Sequence, residues 1–383
     1  MEKNAADLQS YENYLNKIQG SLVGGAIGDA LGFPVEFMSR SAIIERYGHN
    51  GITSYTLDQA TGKALISDDT QMTLFTANGI LKGHTEKILH RNEKSPRSWI
   101  SQAYQDWLTT QNVPFENIEQ NSDRAGISWL LNITQLYNLR APGSTCLSAL
   151  IKLRTNPNTA QPINNSKGCG GIMRVAPVGL FHWREPLQKI DSIAAEAAAI
   201  THGHSLGYMP AAVLAHILHC IVYPEASGKA LIEIILEAKG AVDKLYKGDR
   251  HLEELDRIIN LALELSENGQ QDPENISRIG EGWVAEETLG IALYCALRHE
   301  HDFSGGVIAA VNHNGDSDST GAVTGNILGA ICGYEAIDEK WKKDLELLSI
   351  LLEMAQDLCS GSLQTGEELL NDQLWLQKYV NIL

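Results

Sequence analysis

The chain has 383 residues, 43% hydrophobic and 20% charged, a composition that builds a core and excludes a disordered chain. Its formal net charge is -17, and its lysines and arginines are scattered, which excludes a protein that grips nucleic-acid phosphates. No apolar run approaches the roughly 18 residues of a membrane span. The opening MEKNAADLQSYENYL lacks a basic stretch followed by an apolar one, so no secretory signal is expected and cytoplasmic residence follows by elimination.

In chain order, residues 1–17 read as an amphipathic extension with Tyr11, Tyr14, Leu15 and Ile18 on one side. It is either a surface helix or an arm for a partner. Leu22, Val23, Ala26, Ile27, Ala30 and Leu31 then repeat every three to four residues and predict a buried helix. Asp29 lies inside that helix and needs a partner there, because burying a lone charge is costly. Glu36 follows in GDALGFPVEF. Helical periodicity recurs over 70–82, 98–109, 127–139, 187–201, 208–222, 229–246, 252–266, 284–299, 304–312, 319–333 and 340–358. Pro142-Gly143, Pro157, Pro162, Pro224, and Gly269 with Pro273 mark stops between them. The expectation is an all-α protein with a domain over residues 18–383 behind the 1–17 extension. The six cysteines show no CxxC spacing and read as reduced, mostly buried thiols.

Two acidic clusters stand out. Ser67-Asp68-Asp69-Thr70 lies where a loop becomes a helix. Its hydroxyls and carboxylates are hard oxygen ligands of the kind Mg²⁺, Mn²⁺ or Ca²⁺ prefers. The same residues also make a helix N-cap. Gly315-Asp316-Ser317-Asp318-Ser319-Thr320-Gly321 sits at a second such junction. It opens like an EF-hand loop, but the twelfth position from Asp316 is Ile327, so that reading fails. Between the clusters, Ser166-Lys167-Gly168-Cys169-Gly170-Gly171 is a glycine-rich turn into a helix, suited to an anion or simply a tight turn. It is neither a Walker nor a Rossmann motif. His202 and His204 follow the helix ending AAAIT, as residues favoured by a helix C-terminus or as a substrate-binding imidazole. No zinc spacing accompanies them.

In this order, GSLVGGAIGDALGFPVEF, ISDDTQMTL, NNSKGCGGIMRVAPVGLF, AAAITHGHSLGY, GEGWVAEETLGIALYC and NHNGDSDSTGAVTGNILGA resemble the ADP-ribosylglycohydrolase family, of the dinitrogenase-reductase-activating type. The resemblance runs from about residue 18 to about residue 335. It implies a compact all-α fold with a metal site in a central cleft, and two divalent ions, Mg²⁺ or Mn²⁺. The implied ligands are Ser67, where many members have Thr, with Asp68, Asp69, Asp316, Asp318 and Ser319. Glu36 matches the acid beside the metals and is expected to carry the proton, with Asp68 or Asp69 as competitor. Ser166, Lys167, Gly168, Gly170 and Gly171 match the segment that cradles the diphosphate and distal ribose. His202 matches a histidine near ADP-ribose, and Trp283 and Glu286 a wall of the cleft.

The implied reaction is hydrolysis of the bond between ADP-ribose and a modified protein side chain, arginine being the first choice. An ADP-ribosylated protein or a small ADP-ribose derivative is the expected substrate. Residues 1–17 and 83–125 match nothing, and the latter are expected to carry substrate-specific loops. Two other classes remain: an immunity or regulatory protein that binds an ADP-ribosyltransferase, and a catalytically silent relative, against which the intact clusters argue. A monomer without nucleic-acid or membrane partners is expected.

Overall fold

The core is organised around a backbone-to-backbone helix contact. The computed structural model describes residues 5–92, 94–115, 126–224 and 228–381. Its first helix, Ala5–Gly32, lies antiparallel against helix Ser317–Cys332. Gly20, Gly24 and Gly28 face Gly329, Gly325 and Gly321, one pair per helical turn. A Cβ on Gly28 would stand 1.9 Å from the carbonyl oxygen of Gly321, and one on Gly24 2.3 Å from that of Gly325. No side chain fits between these backbones. The consequence for function is positional: the C-terminal end of the first helix, with Asp29 and Glu36 beyond it, comes to lie beside the N-terminal end that carries Asp316 and Asp318.

Among the described residues there are eighteen α-helices and no strand, only isolated bridges at Ala64–Leu345 and Gly168–Val284. Helix Asp68–Ile88 crosses the middle and is buried on every side from Asp68 to Lys82. It carries polar residues that find partners there. Thr76 meets the Tyr104 hydroxyl at 2.7 Å, Gln71 accepts from Trp107 Nε1 at 3.1 Å, and Lys82 pairs with Glu86 at 2.8 Å. Paired polar groups escape the desolvation penalty of lone ones. Helix Pro96–Asn112 packs on it, opened by the Ser95 cap and Pro96. Helix Ser205–Val222 is long and apolar enough to cross a membrane by length and composition, and here it is a core helix with 83% of its length buried.

The structure corrects several expectations. The stretch 127–139 forms two short 3₁₀ turns, Trp129–Asn132 and Thr134–Leu136, and no α-helix. Trp129, Leu130 and Leu136 supply the buried residues that imitate a helical stripe, while Ser128 and Ile133 adopt extended backbone and break it. The stretch 340–358 is interrupted: helix Glu339–Lys342 ends, Leu347 turns with φ +58, and helix Leu348–Leu363 begins. Helix Ser144–Thr155 fills a stretch for which no helix was expected. Residues 5–17 continue into the first helix without a break. There Tyr11 hydrogen bonds to Ser360 at 3.0 Å and Lys17 donates to the Ile221 carbonyl at 2.8 Å. Of the 83–125 segment, residues 93 and 116–125 lie outside the described residues.

Candidate active site

Asp29 organises the first cluster from behind. It is fully buried, and its carboxylate accepts from the backbone N–H of Ser67 at 2.9 and 3.1 Å and of Thr70 at 3.1 Å, and from the Thr70 hydroxyl. These are the orphan donors of a helix start. One acid borrowed from the first helix therefore anchors the N-terminus of helix Asp68–Ile88. Burial raises the Asp29 carboxyl to about 6, against the pull of the Thr70 and Ser67 hydrogen bonds.

With Asp29 as the anchor, Asp68 and Asp69 turn elsewhere. Ser67 caps the helix by accepting from Asp69 N at 3.2 Å. Asp68 accepts from the Gly143 N–H at 3.4 Å. In the second cluster Asp316 is the N-cap, accepting from Ser319 N at 3.4 Å, and Asp318 accepts from the same N–H at 2.9 Å. The Ser319 hydroxyl lies against Asp69. Glu36, Asp316 and Asp318 each bring a carboxylate oxygen into one group whose atoms lie within 4.8 Å of one another. Glu36 thus stands among the predicted metal ligands, not only beside them.

The electrostatics follow from that crowding. Burial lifts Asp68, Asp69 and Asp318 well above ordinary carboxylate values, and their acidic neighbours add to it. Burial, then Asp316, Asp68 and Asp29, push Glu36 up to about 9. Among the described residues no lysine, arginine or histidine pairs with any of these six acids. Glu36 Oε2 and Asp69 Oδ2 are buried with no hydrogen-bond partner. Clustered carboxylates without a countercharge are costly in a low-dielectric interior, and a bound cation reverses that cost. An all-oxygen donor set suits a hard divalent ion, so the residues present fit Mg²⁺ or Mn²⁺.

The glycine-rich loop lies against this cluster. The Cys169 thiol donates to Asp316 Oδ2 at 2.7 Å, a contact the sequence reading of Cys169 as an ordinary buried thiol missed. The loop is clamped by the stretch 281–285: Cys169 N donates to the Trp283 carbonyl at 3.2 Å and Ala285 N to the Lys167 carbonyl at 2.9 Å. The same stretch receives Asp316 N on the Glu281 carbonyl at 2.9 Å. It ties loop and second acidic cluster together, and positive φ at Gly280 and Gly282 lets it bend.

His202 lies beneath the loop. A Cβ on Gly168 or Gly170 would meet its ring at 3.4 or 3.0 Å. Burial, then Arg174, lower His202 to about 3, so it is neutral, with Nδ1 on the Thr201 hydroxyl at 2.9 Å. Arg174 also donates to that hydroxyl at 2.6 Å and stacks on Tyr104 at 4.3 Å. His204, by contrast, caps the next helix by accepting from Leu206 N at 3.1 Å, so it serves a helix start and not the preceding C-terminus. Ser166 Oγ accepts from Gly168 N at 3.3 Å and shapes the turn. Lys167 is held by Glu286 and by Glu254, the latter at 3.3 Å, in an ion-pair network that spans the loop and two later helices. Near Glu36, Phe37 and Trp283 stack in the open, centroids 5.7 Å apart and ring planes inclined by 22°, with Phe37 75% exposed.

A separate cavity of about 820 Å³, lined by His84, Trp99, Phe181 and Arg184, contains none of these residues. The carboxylates and not that volume identify the site, because six buried ionisable groups converge there.

The ADP-ribosylglycohydrolase family model matches residues 10–368. The chain is 28% identical to bovine (Bos taurus) ADP-ribosylhydrolase ARH3 over 199 residues, 47% of this chain and 54% of that protein, so it spans about half the length of that relative. It is 23% identical to ADP-ribosylarginine hydrolase Tri1 of Serratia proteamaculans over 351 residues, 90% of this chain and 79% of that one. A solved structure of an ADP-ribosylglycohydrolase-related protein complex superposes with TM-score 0.62 at 23% identity, covering 92% of this chain and 99% of that one, and shares the fold. This chain belongs to the ADP-ribosylglycohydrolase family.

Proposed function

We propose that this chain is a hydrolase dependent on two divalent ions that releases ADP-ribose from modified protein arginine. The observation that carries the reading is the set of six buried carboxyls with no basic partner, touched by a glycine-rich loop at Asp316. Asp68, Asp69, Asp316 and Asp318, with the hydroxyls of Ser67 and Ser319, would hold the ions. When bound, the ions supply Lewis acidity toward the ribose hydroxyls and a water.

The chain's own residues do the rest. The glycine-rich loop, where no side chain blocks close approach, would receive an anionic diphosphate, and neutral His202 keeps the loop in shape from below. Glu36 takes or returns the proton at the anomeric centre, since a carboxylate with an unpartnered oxygen has a site for it. Arginine as acceptor is supported by the Serratia relative's name and by the stacked, exposed Phe37–Trp283 pair beside Glu36, a flat aromatic face that suits a planar guanidinium.

The test is to incubate the protein with Mg²⁺ or Mn²⁺ and ADP-ribosylated proteins that differ in linkage, and to follow free ADP-ribose. Arginine-linked substrate should turn over fastest, and Phe37→Ala should raise KM for it more than it lowers kcat. Release from serine-linked substrate alone would refute the acceptor. No metal-dependent release from any linkage would refute the reaction.

A further inference from the structure

A second constellation lies on helices Leu187–Ala198, Ser205–Val222 and Leu231–Leu245, built from residues the proposed reaction does not use. His216 and Cys220 are four residues apart on one helix and so share a face. Glu237 comes from the helix packed beside it. Each of the three offers one ligand atom, and these atoms lie within 4.8 Å of one another.

The histidine sharpens this grouping. His216 is 2% exposed, and its Nδ1 meets both oxygens of buried Asp191 at 3.1 Å. That contact fixes Nδ1 as the protonated nitrogen and leaves the lone pair on Nε2. His216 Nε2 is buried and has no partner. A neutral imidazole oriented by a carboxylate through its other nitrogen is the arrangement metal-binding histidines adopt. A cavity of about 210 Å³, lined by His219, Cys220, Tyr223, Lys229 and Glu237 among others, adjoins the group and leaves room for water or another ligand. Lys229 holds Glu237 Oε2 at 2.8 Å, and the carboxylate has a second oxygen to offer. His219 Nδ1 is taken by the Gly179 carbonyl at 3.1 Å.

We propose that His216, Cys220 and Glu237 form a zinc site distinct from the carboxylate cluster, with an open fourth position. Thiolate and imidazole select Zn²⁺ over Mg²⁺ or Mn²⁺, whereas the all-oxygen cluster does the opposite. The two sites therefore sort their metals by ligand softness. Zinc here would tie Leu231–Leu245 to Ser205–Val222, while Asp191 ties in Leu187–Ala198.

The test is to strip the full chain with chelator, saturate it with Mg²⁺, and titrate Zn²⁺. Co²⁺ in a parallel titration reports thiolate ligation through its sulfur-to-metal charge-transfer band. Wild type should bind one Zn²⁺, gain thermal stability and show the band. Cys220→Ala should lose the band, and both Cys220→Ala and the exposed-site variant Glu237→Gln should weaken Zn²⁺ by roughly tenfold or more. Cys169→Ala should keep the band, although Cys169 touches Asp316. Undiminished Zn²⁺ binding in Cys220→Ala, or a band that disappears in Cys169→Ala instead, overturns the proposal.

Discussion

Replacing Gly28 by alanine tests how the site is held together. The new Cβ would lie 1.9 Å from the Gly321 carbonyl oxygen and 2.2 Å from its carbon, about 1.5 Å inside the 3.4 Å at which ordinary contact begins. Both obstacles are backbone of a buried helix, so neither can swing aside. The helices must part or slide. Overpacking a tight core costs about 1–3 kcal/mol, and a clash between two backbones belongs at the upper end, so we expect a loss of about 3 kcal/mol. Separation at this point also carries Glu36 away from Asp316 and Asp318, so Mn²⁺ affinity should fall by roughly tenfold or more. Gly240→Ala is the internal control. Gly240 is also helical, nothing lies within 4 Å of its added Cβ, and alanine should stabilise that helix by up to about 1 kcal/mol. Urea unfolding and calorimetric Mn²⁺ titration of both variants give the comparison. A Gly28→Ala protein as stable as wild type, binding Mn²⁺ normally, would refute the close-packed pair as the positioning device.

Asp316→Ala and Asp68→Ala should each abolish ADP-ribose release while keeping the helical circular-dichroism spectrum; wild-type turnover in either, after chelation and Mg²⁺ restoration, would remove that residue from the site. Cys169→Ala deletes a donor to Asp316 and should weaken metal binding by roughly tenfold, with Cys169→Ser largely restoring it, both read by calorimetry. His202 is held neutral by burial, with its value lowered from 6.5 to about 3. The unfolded chain therefore binds a proton that the folded one refuses between those values, and stability falls as pH drops below 6.5. At pH 5 this group should cost about 2 kcal/mol relative to pH 7.5, and urea unfolding of His202→Gln should show a correspondingly shallower slope.

The acidic clusters were visible in the sequence but ambiguous there, and the structure explains the ambiguity. Ser67 and Asp316 are helix caps, and the carboxylates that follow them crowd into the site. Capping and metal ligation draw on the same short oxygen side chains, so composition cannot separate them; what the structure adds is the helix pair that brings the acids together. The partner of Gly28 is Gly321, nearly 300 residues away, and no local pattern announces such a match. Separation along the chain, here about 40 residues, also hid the task of Asp29, whose need for a partner was legible but whose partners, Ser67 and Thr70, lie at the start of another helix. Trp129 to Leu136 misled for the opposite reason: a short apolar spacing satisfies a helical period whether or not the backbone closes the turn. Lys167 carried an anion-binding expectation because its loop resembles one that cradles a diphosphate; its pairing with two glutamates from later helices could not be read from the loop alone.

The antiparallel glycine pairing also sets the order in which the molecule can be completed during synthesis. Glu36, Asp68 and Asp69 leave the ribosome early, but Asp316, Asp318 and the glycines that dock them come only in the last fifth of the chain. Until then the first helix exposes a smooth, side-chain-free groove and the early acids have no counterparts. Assembly of the carboxylate cluster is consequently a late event, closing a contact between sequence-distant segments after most helices can already form from local contacts.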